Sequence, residues 1–318
     1  MNNDLSSYFE DPEFKEALEK YEGMVKNHTP AYFDADELTD IAEYYASKGR
    51  QIEAEAAIDF ALQLHPNDTD ALIFRARSLA MKGRLDEAYM VMDLIEDRSD
   101  REVRFLKADL LMEEKRMEEA DHVFEELAAY EEGKLETLID IILAYIDANQ
   151  EALAKKWIKH VGETYDLASL SQKNQKFRDL LCDFYITFNN PEAAIPLLQA
   201  TLDCYPYSIN HWNSLGKCYL STNDYEEAHE AIDFALAIDD SNAEALTLKA
   251  FCYQQSGELQ KSCDYYLRLA EQQENKTRAY LALAKTYFEM QDYTSSIYYI
   301  EALLDNNCLL YTSDAADD

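Results

Sequence analysis

The chain contains 318 residues, with 63 Asp and Glu against 29 Lys and Arg, and its formal net charge of −34 argues against binding to nucleic acid or to anionic membranes. Seven glycines and six prolines are too few for a strand-rich fold with many tight turns, while a hydrophobic fraction of 47% excludes disorder over most of the length. We therefore expect long helices joined by short connections.

The first predicted element is an amphipathic helix that begins at Asp11 and Pro12. Aspartate is a favoured N-cap residue, and proline suits the first position of a helix. Apolar residues then recur at helical spacing from Phe14 to Val25. Because no repeat partner precedes this helix, we expect residues 1–34 to form an N-terminal capping helix.

A period of 34 residues runs through the rest of the chain. Four tyrosines show it most clearly, at Tyr185, Tyr219, Tyr253 and Tyr287. A small residue precedes each tyrosine by three positions and another follows it by nine, which predicts two helices that cross closely in every repeat. The predicted repeats span 35–68, 69–100, 101–134, 135–168, 175–208, 209–242, 243–276 and 277–307. Since neither helix of a pair can bury its apolar stripe alone, we expect the pairs to stack around one continuous core.

The sixth repeat shows the signature most fully. Trp212, Leu215, Gly216 and Tyr219 lie on one helical face, and Ala228 follows on the second helix. This spacing resembles the tetratricopeptide repeat, and the resemblance covers roughly residues 35–307. It implies an all-α solenoid, a superhelix of about eight antiparallel helix pairs, and the acidic, tyrosine-rich repeats look like those of cytoplasmic members from Bacteroidota. The signature residues are Tyr45, Ala54, Trp212, Gly216, Tyr219, Ala228, Tyr253 and Tyr287.

Two segments depart from the period. Residues 169–174 are a six-residue excess whose polar composition predicts loosened stacking between the fourth and fifth repeats. Residues 308–318 look foreign to the array, because the string from Cys308 to Asp317 resembles a translated sequencing-library adapter. We therefore expect 308–318 to be a non-native tail and the natural chain to continue past Asn307.

The sequence also predicts a cytoplasmic protein. The first residues contain neither the basic nor the apolar region of a secretory signal. The most apolar stretch, from Leu135 to Ala148, contains three acidic residues and is too short to span a bilayer. The six cysteines include no C-x-x-C pair, which favours free, buried thiols in a reducing compartment.

No motif for catalysis, nucleotide binding or metal binding is present in the sequence. The six histidines are scattered, and no two stand three or four residues apart. Paired acids such as Glu118 and Glu119 stand at the start of second helices, where carboxylates favour the helix dipole. We therefore predict no catalytic residue, no metal and no cofactor.

One constellation suggests a binding surface. The resemblance implies that the first helix of each repeat lines a concave groove, and in the first four repeats the groove positions carry ten acids and one base, Arg77. The predicted partner-binding residues are Asp36, Asp40, Glu43, Asp70, Phe74, Phe105, Asp109, Glu113, Ile139 and Asp140. They suit a basic protein or peptide segment with apolar anchors. The alternative is that these acids only solvate an open face.

The favoured function is a non-catalytic protein–protein interaction scaffold. One alternative is a targeting or regulatory arm of a larger protein whose catalytic domain lies beyond Asn307, and another is a structural subunit that self-assembles through an uncapped end. The family's clamp for a carboxylate terminus is not matched, because Thr247 and Phe251 follow Asn213 and Lys217 one repeat later. The sequence leaves the partner, the pathway and the oligomeric state open.

Overall fold

The computed structural model describes residues 8–9, 11–28 and 30–314, and their side chains as far as 304 except at 273. Within these residues the backbone forms 18 α-helices of seven residues or more, one short 3-10 helix and no strand, which confirms the predicted all-α fold. The chain divides into two compact units, Met1–Leu138 (unit 1) and Ile139–Asp318 (unit 2). The repeat pattern did not indicate this division.

Unit 1 is built from seven complete helices. They are α1 (Pro12–Asn27), α2 (Ala35–Ser47), α3 (Gln51–Leu64), α4 (Thr69–Met81), α5 (Leu85–Met92), α6 (Arg101–Glu113) and α7 (Met117–Tyr130). The next helix, α8 (Leu135–Asp147), contains the boundary between the units.

Unit 2 continues with ten helices. They are α9 (Glu151–Thr164), α10 (Leu167–Lys173), α11 (Gln175–Thr187), α12 (Pro191–Cys204), α13 (Ile209–Thr222), α14 (Tyr225–Ile238), α15 (Ala243–Gln255), α16 (Leu259–Ala270), α17 (Lys276–Glu289) and α18 (Tyr293–Asp314). Part of the predicted non-native tail falls within α18, but the side chains of 305–318 lie outside the described residues, so that assignment stays a prediction.

Helix α1 packs against the first helix pair. Asp11 caps it by accepting a hydrogen bond from the backbone N–H of Glu13 at 2.8 Å. Phe14 and Tyr21 are buried in the same apolar cluster as α2 and α3, and the Tyr45 hydroxyl donates to Glu22 at 3.1 Å. The signature tyrosine of the first repeat is therefore bonded to α1.

Every helix pair contains the same turn. One or two residues after the end of each first helix stands a residue with a positive φ, between 53° and 78°, and the eight residues are Gly49, Gly83, Lys115, Asn149, Asn189, Asn223, Gly257 and Gln291. Glycine and asparagine tolerate this left-handed conformation best. Lys115 and Gln291 adopt it as well, so the turn does not depend on glycine.

The small residues of the second helices mark the close crossings. They are Ala54, Ala88, Ala120, Ala154, Ala194, Ala228, Ser262 and Ser296, and none is more than 4% exposed. The predicted close contact between the two helices of each pair is therefore present throughout the array.

The six-residue excess differs from the expectation of a loosened junction. Most of it belongs to α10, and Asn174 caps α11 by accepting from the N–H of Phe177 at 2.9 Å. The buried Arg178 donates to the carbonyls of Ser171 and Gln172, at 3.2 Å each. Arg178 of the next helix thus holds residues 169–174 in place, although their polar composition is unsuited to a buried core.

Candidate functional site

Acidic side chains of three successive first helices, α2, α4 and α6, face one another in unit 1. Burial raises the pKa of Glu43, and repulsion from Asp40, Asp70 and Glu102 raises it further. Burial also raises the pKa of Asp70, with repulsion from acids that include Asp36 and Glu102. We define the acidic cluster as Asp36, Asp40, Glu43, Asp70, Glu102, Asp109 and Glu113. All seven stand at predicted groove positions, and all but Glu102 belong to the predicted partner-binding residues, so the structure brings together the groove acids of the first three repeats.

Two arginines lie among these acids. The guanidinium of Arg77 is 3.3 Å from the Glu102 carboxylate and 3.6 Å from the Asp109 carboxylate. Arg101 is 2.9 Å from Glu102, and its guanidinium lies over the Phe105 ring at 5.0 Å. The groove positions did not include Arg101, because it stands at the first residue of its repeat. Two cations do not neutralise seven acids, so the cluster keeps a net negative charge.

The phenol of Tyr8 contacts the acidic cluster at Asp40. Its hydroxyl donates to the Asp40 carboxylate at 2.5 Å, and this bond is the main reason that the pKa of Tyr8 rises to about 12. The pKa of Asp40 rises through burial, although the same bond opposes the shift. Tyr8 precedes the repeats, so the repeat register carried no signal for it.

The predicted apolar anchors differ in exposure. Phe74 is half-buried, whereas Phe105 is 7% exposed and its ring lies 5.3 Å from that of Phe124. Phe105 therefore fills the core and offers little surface to a partner. Met81 is 82% exposed and ends α4 at the repeat position that Glu113 occupies in α6. A flexible thioether at this position is a better apolar contact than the buried Phe105, although Met81 is not among the predicted partner-binding residues.

Ile139 and Asp140, the last two predicted groove residues, open unit 2. Ile139 is 5% exposed and therefore lies in the core, while Asp140 is half-buried. Both residues belong to the other compact unit, so they are not part of the acidic cluster of unit 1.

Asp109 is the most strongly perturbed acid of the cluster. Burial raises its pKa to about 6; the nearby Arg77 opposes the shift, and repulsion from Glu102 and Glu113 adds to it. The folded state therefore binds a proton more tightly than the unfolded chain, whose aspartates titrate near 3.9. The free energy of unfolding should fall as pH rises from about 4 to about 6, because ionising Asp109 costs more free energy in the folded state than in the unfolded chain.

We expect Asp109→Asn to stabilise unit 1 at pH 7.5 and to leave its stability at pH 4 nearly unchanged. The gain should stay below about 1 kcal/mol, because part of the carboxylate is solvated and the bond to Arg77 is weakened. Unfolding is followed by far-UV circular dichroism at both pH values. Glu16→Gln, an exposed charge removal on α1, is the matched control. Equal gains at the two pH values would contradict the assignment.

The described helix pairs define an all-α helical-repeat protein, and none of the described helices is long and apolar enough to cross a membrane. The sequence matches the tetratricopeptide repeat family over residues 39–89 and 213–277, one segment in each unit. It is 27% identical over 180 residues to the formate-dependent nitrite reductase complex subunit NrfG of Escherichia coli O157:H7. The aligned region covers 55% of this chain and 84% of NrfG.

Two solved structures are similar in fold. A tetratricopeptide repeat protein from Parabacteroides merdae ATCC 43184 superposes with a TM-score of 0.50 and 16% identity over 79% of this chain and 98% of that one. MamA superposes with a TM-score of 0.45 and 18% identity over 54% of this chain and 97% of its own. The helix pairs and the family match agree: the chain contains tetratricopeptide repeats, matched over residues 39–89 and 213–277.

Proposed function

We propose that this protein is a non-catalytic interaction scaffold that binds a basic segment of a partner protein at the acidic cluster of unit 1. The observation that carries the proposal is the proximity of carboxylates from α2, α4 and α6: burial is the largest cause of the raised pKa of Glu43, Asp70 and Asp109, and mutual repulsion adds to it. A cation from a partner would relieve this repulsion. The name of the similar NrfG calls that protein a subunit of a complex, which supports a protein-binding role for this chain.

The exposed fraction of each side chain indicates the role that it would have in binding. Asp36 and Glu113 are exposed, and Glu43 and Asp70 keep solvent-accessible surface although neighbouring groups partly desolvate their carboxylates. These four acids would steer the encounter with a basic segment. The half-buried Phe74 and the exposed Met81 offer apolar contact area for affinity. We also propose a cytoplasmic location, which the free thiols of the five described cysteines support.

The test begins with a displayed library of 12-residue peptides selected on the immobilised full chain. We expect enrichment of Lys and Arg next to apolar residues. For the best peptide, Asp36→Lys with Asp70→Lys should weaken binding at least tenfold, about 1.4 kcal/mol, mainly through a slower association rate. Raising the salt concentration should weaken the wild-type complex, because salt screens exposed charges.

The matched control is Glu16→Lys with Glu118→Lys. It changes the net charge by the same amount at exposed positions of α1 and α7, outside the acidic cluster. Binding by this control should stay within twofold of wild type. An equal loss in both double variants would reduce the effect to net charge, and undiminished binding by the cluster variant would place the site elsewhere.

A further inference from the structure

A pocket of about 480 Å³ opens in unit 2 between helices α12, α13 and α14. Leu202, Leu215 and Ala231 contribute apolar lining, and the rings of Trp212 and Phe234 also line the pocket, stacked with centroids 4.5 Å apart. Phe234 is 54% exposed, so part of this aromatic surface faces solvent. The pocket lies on different helices from the acidic cluster, and the inference drawn from it is independent of the proposed function of that cluster.

The pocket lacks a ring that the two following repeats carry. Ala231 stands where the next two repeats carry Tyr265 and Tyr299. Those rings stack on the signature tyrosines of their own repeats: Tyr253 with Tyr265 at 5.6 Å and 27°, and Tyr287 with Tyr299 at 5.6 Å and 5°. Trp157 and Leu197 occupy the same position in the two preceding repeats. Among the repeats of unit 2 only Ala231 is small at this position, although the first repeat of unit 1 also carries an alanine there, Ala57. Tyr219, the signature tyrosine beside Ala231, lines the pocket.

In the next repeat, aromatic rings and cationic side chains lie at the corresponding positions. Lys249 and Lys261 lie over the Tyr253 ring at 5.5 and 5.1 Å, and Lys249 also pairs with Asp233 at 2.6 Å. Arg268 lies over the ring of Tyr265 at 5.4 Å. The chain therefore places its own cations against the aromatic rings at this junction.

At the pocket the corresponding cations are absent from the sequence. Leu215, Glu227 and Phe234 stand 34 residues before Lys249, Lys261 and Arg268. Three carboxylates, from Asp203, Glu227 and Glu230, line the pocket instead, and in the part of the chain that the structure describes none of them forms an ion pair. Burial is the main cause of the raised pKa of Tyr219, and repulsion from Glu227 and Glu230 adds to it.

We propose that this pocket binds an arginine side chain of a partner protein. The missing group is a flat ring, and a guanidinium is flat, stacks on aromatic faces and bonds carboxylates with two parallel N–H groups. A lysine ammonium is compact and would use the flat space poorly. An aromatic side chain would fill the space and leave the three carboxylates unpaired.

The experiment follows the two tryptophan indole signals of the full chain by NMR during titration with the capped peptide acetyl-Gly-Arg-Gly-amide. Trp212 lines the pocket and its indole N–H donates to the Pro206 carbonyl at 2.8 Å, whereas Trp157 is 2% exposed and serves as an internal control. We expect a saturable shift of the Trp212 signal with the Trp157 signal unmoved. Peptides with citrulline, lysine or tyrosine in place of arginine should bind at least fivefold more weakly.

Two kinds of variant test the pocket itself. Ala231→Tyr supplies the ring that Tyr265 and Tyr299 supply in their repeats, and it should abolish the saturable shift. Ala237→Tyr, at an exposed position of the same helix, is the matched control and should bind like wild type. Glu227→Gln with Glu230→Gln, at two exposed positions, should weaken binding at least fivefold and keeps the test decisive if Ala231→Tyr fails to fold.

Several results would overturn the proposal. Equal binding of the citrulline or tyrosine peptide would show stacking without charge recognition. Tighter binding of free arginine than of the capped peptide would indicate a site for the free amino acid, whose carboxylate the acidic rim should repel. Undiminished binding by the glutamine variant, or by a folded Ala231→Tyr, would place the arginine outside the pocket.

Discussion

Replacement of Gly216 by leucine is expected to destabilise unit 2 by about 3 kcal/mol, at the upper end of the cost of overpacking. A Cβ atom at Gly216 would lie 2.8 Å from Cγ1 of Ile232, a side chain that is fully buried in α14. That carbon is near the backbone and cannot swing aside, so α13 and α14 would have to separate. The loss should be local, because solenoid contacts join only neighbouring repeats.

Tryptophan fluorescence measures this effect selectively, because both tryptophans, Trp157 and Trp212, belong to unit 2. The control is Gly23→Leu in α1, where a Cβ atom meets nothing within 4 Å. Removing a helix-interior glycine there should stabilise unit 1 by a few tenths of a kcal/mol, followed by circular dichroism. A Gly216→Leu protein that unfolds at the wild-type denaturant concentration would show that the two helices are not in close contact.

The second large effect is expected at Arg178. Arg178 is 5% exposed, and its guanidinium donates to the Thr201 hydroxyl at 2.7 Å as well as to two carbonyls in the last turn of α10. The negative end of that helix dipole faces the positive charge. Arg178→Met keeps much of the volume but leaves these acceptors without their donor, so we expect a loss of about 3 kcal/mol.

Proteolysis gives an independent readout for Arg178. In the wild type Lys173 ends α10, and the segment is held by the arginine, so trypsin should cleave there slowly. Cleavage after Lys173 should accelerate in Arg178→Met and only slightly in Arg178→Lys, which retains the charge. Arg278→Met, an exposed change on α17, should behave like wild type. Rapid cleavage of the wild-type protein at Lys173 would contradict the anchoring role.

The helix pairs could be predicted from the sequence because every repeat buries the same helix faces at the same spacing. The signature columns predicted the helix pairs, and the buried small residues such as Ala54 and Ala228 lie where the pattern requires them. The acids of α2, α4 and α6 are also brought together. Period and register depend only on local spacing, and local spacing determines which face of a helix is buried.

What the sequence missed depends on pairs of residues that no fixed spacing relates. Arg178 fixes an insertion, Tyr8 reaches Asp40 from outside the array, and the Phe105 ring turns toward Phe124. The pocket beside Ala231 is visible only by comparing one repeat with the next. Each of these features is an exception to the period, so a search for the period alone passes over it.

The shared left-handed turn has a consequence for how this chain can diversify. Since eight different helix pairs leave their first helix with the same backbone conformation, through glycine, asparagine, Lys115 or Gln291, the path of the main chain is insensitive to the chemistry of the side chains. A repeat can then exchange its acids for aromatic residues or its tyrosine for alanine without re-routing its neighbours. New binding surfaces can therefore arise one repeat at a time, without a change in the path of the main chain.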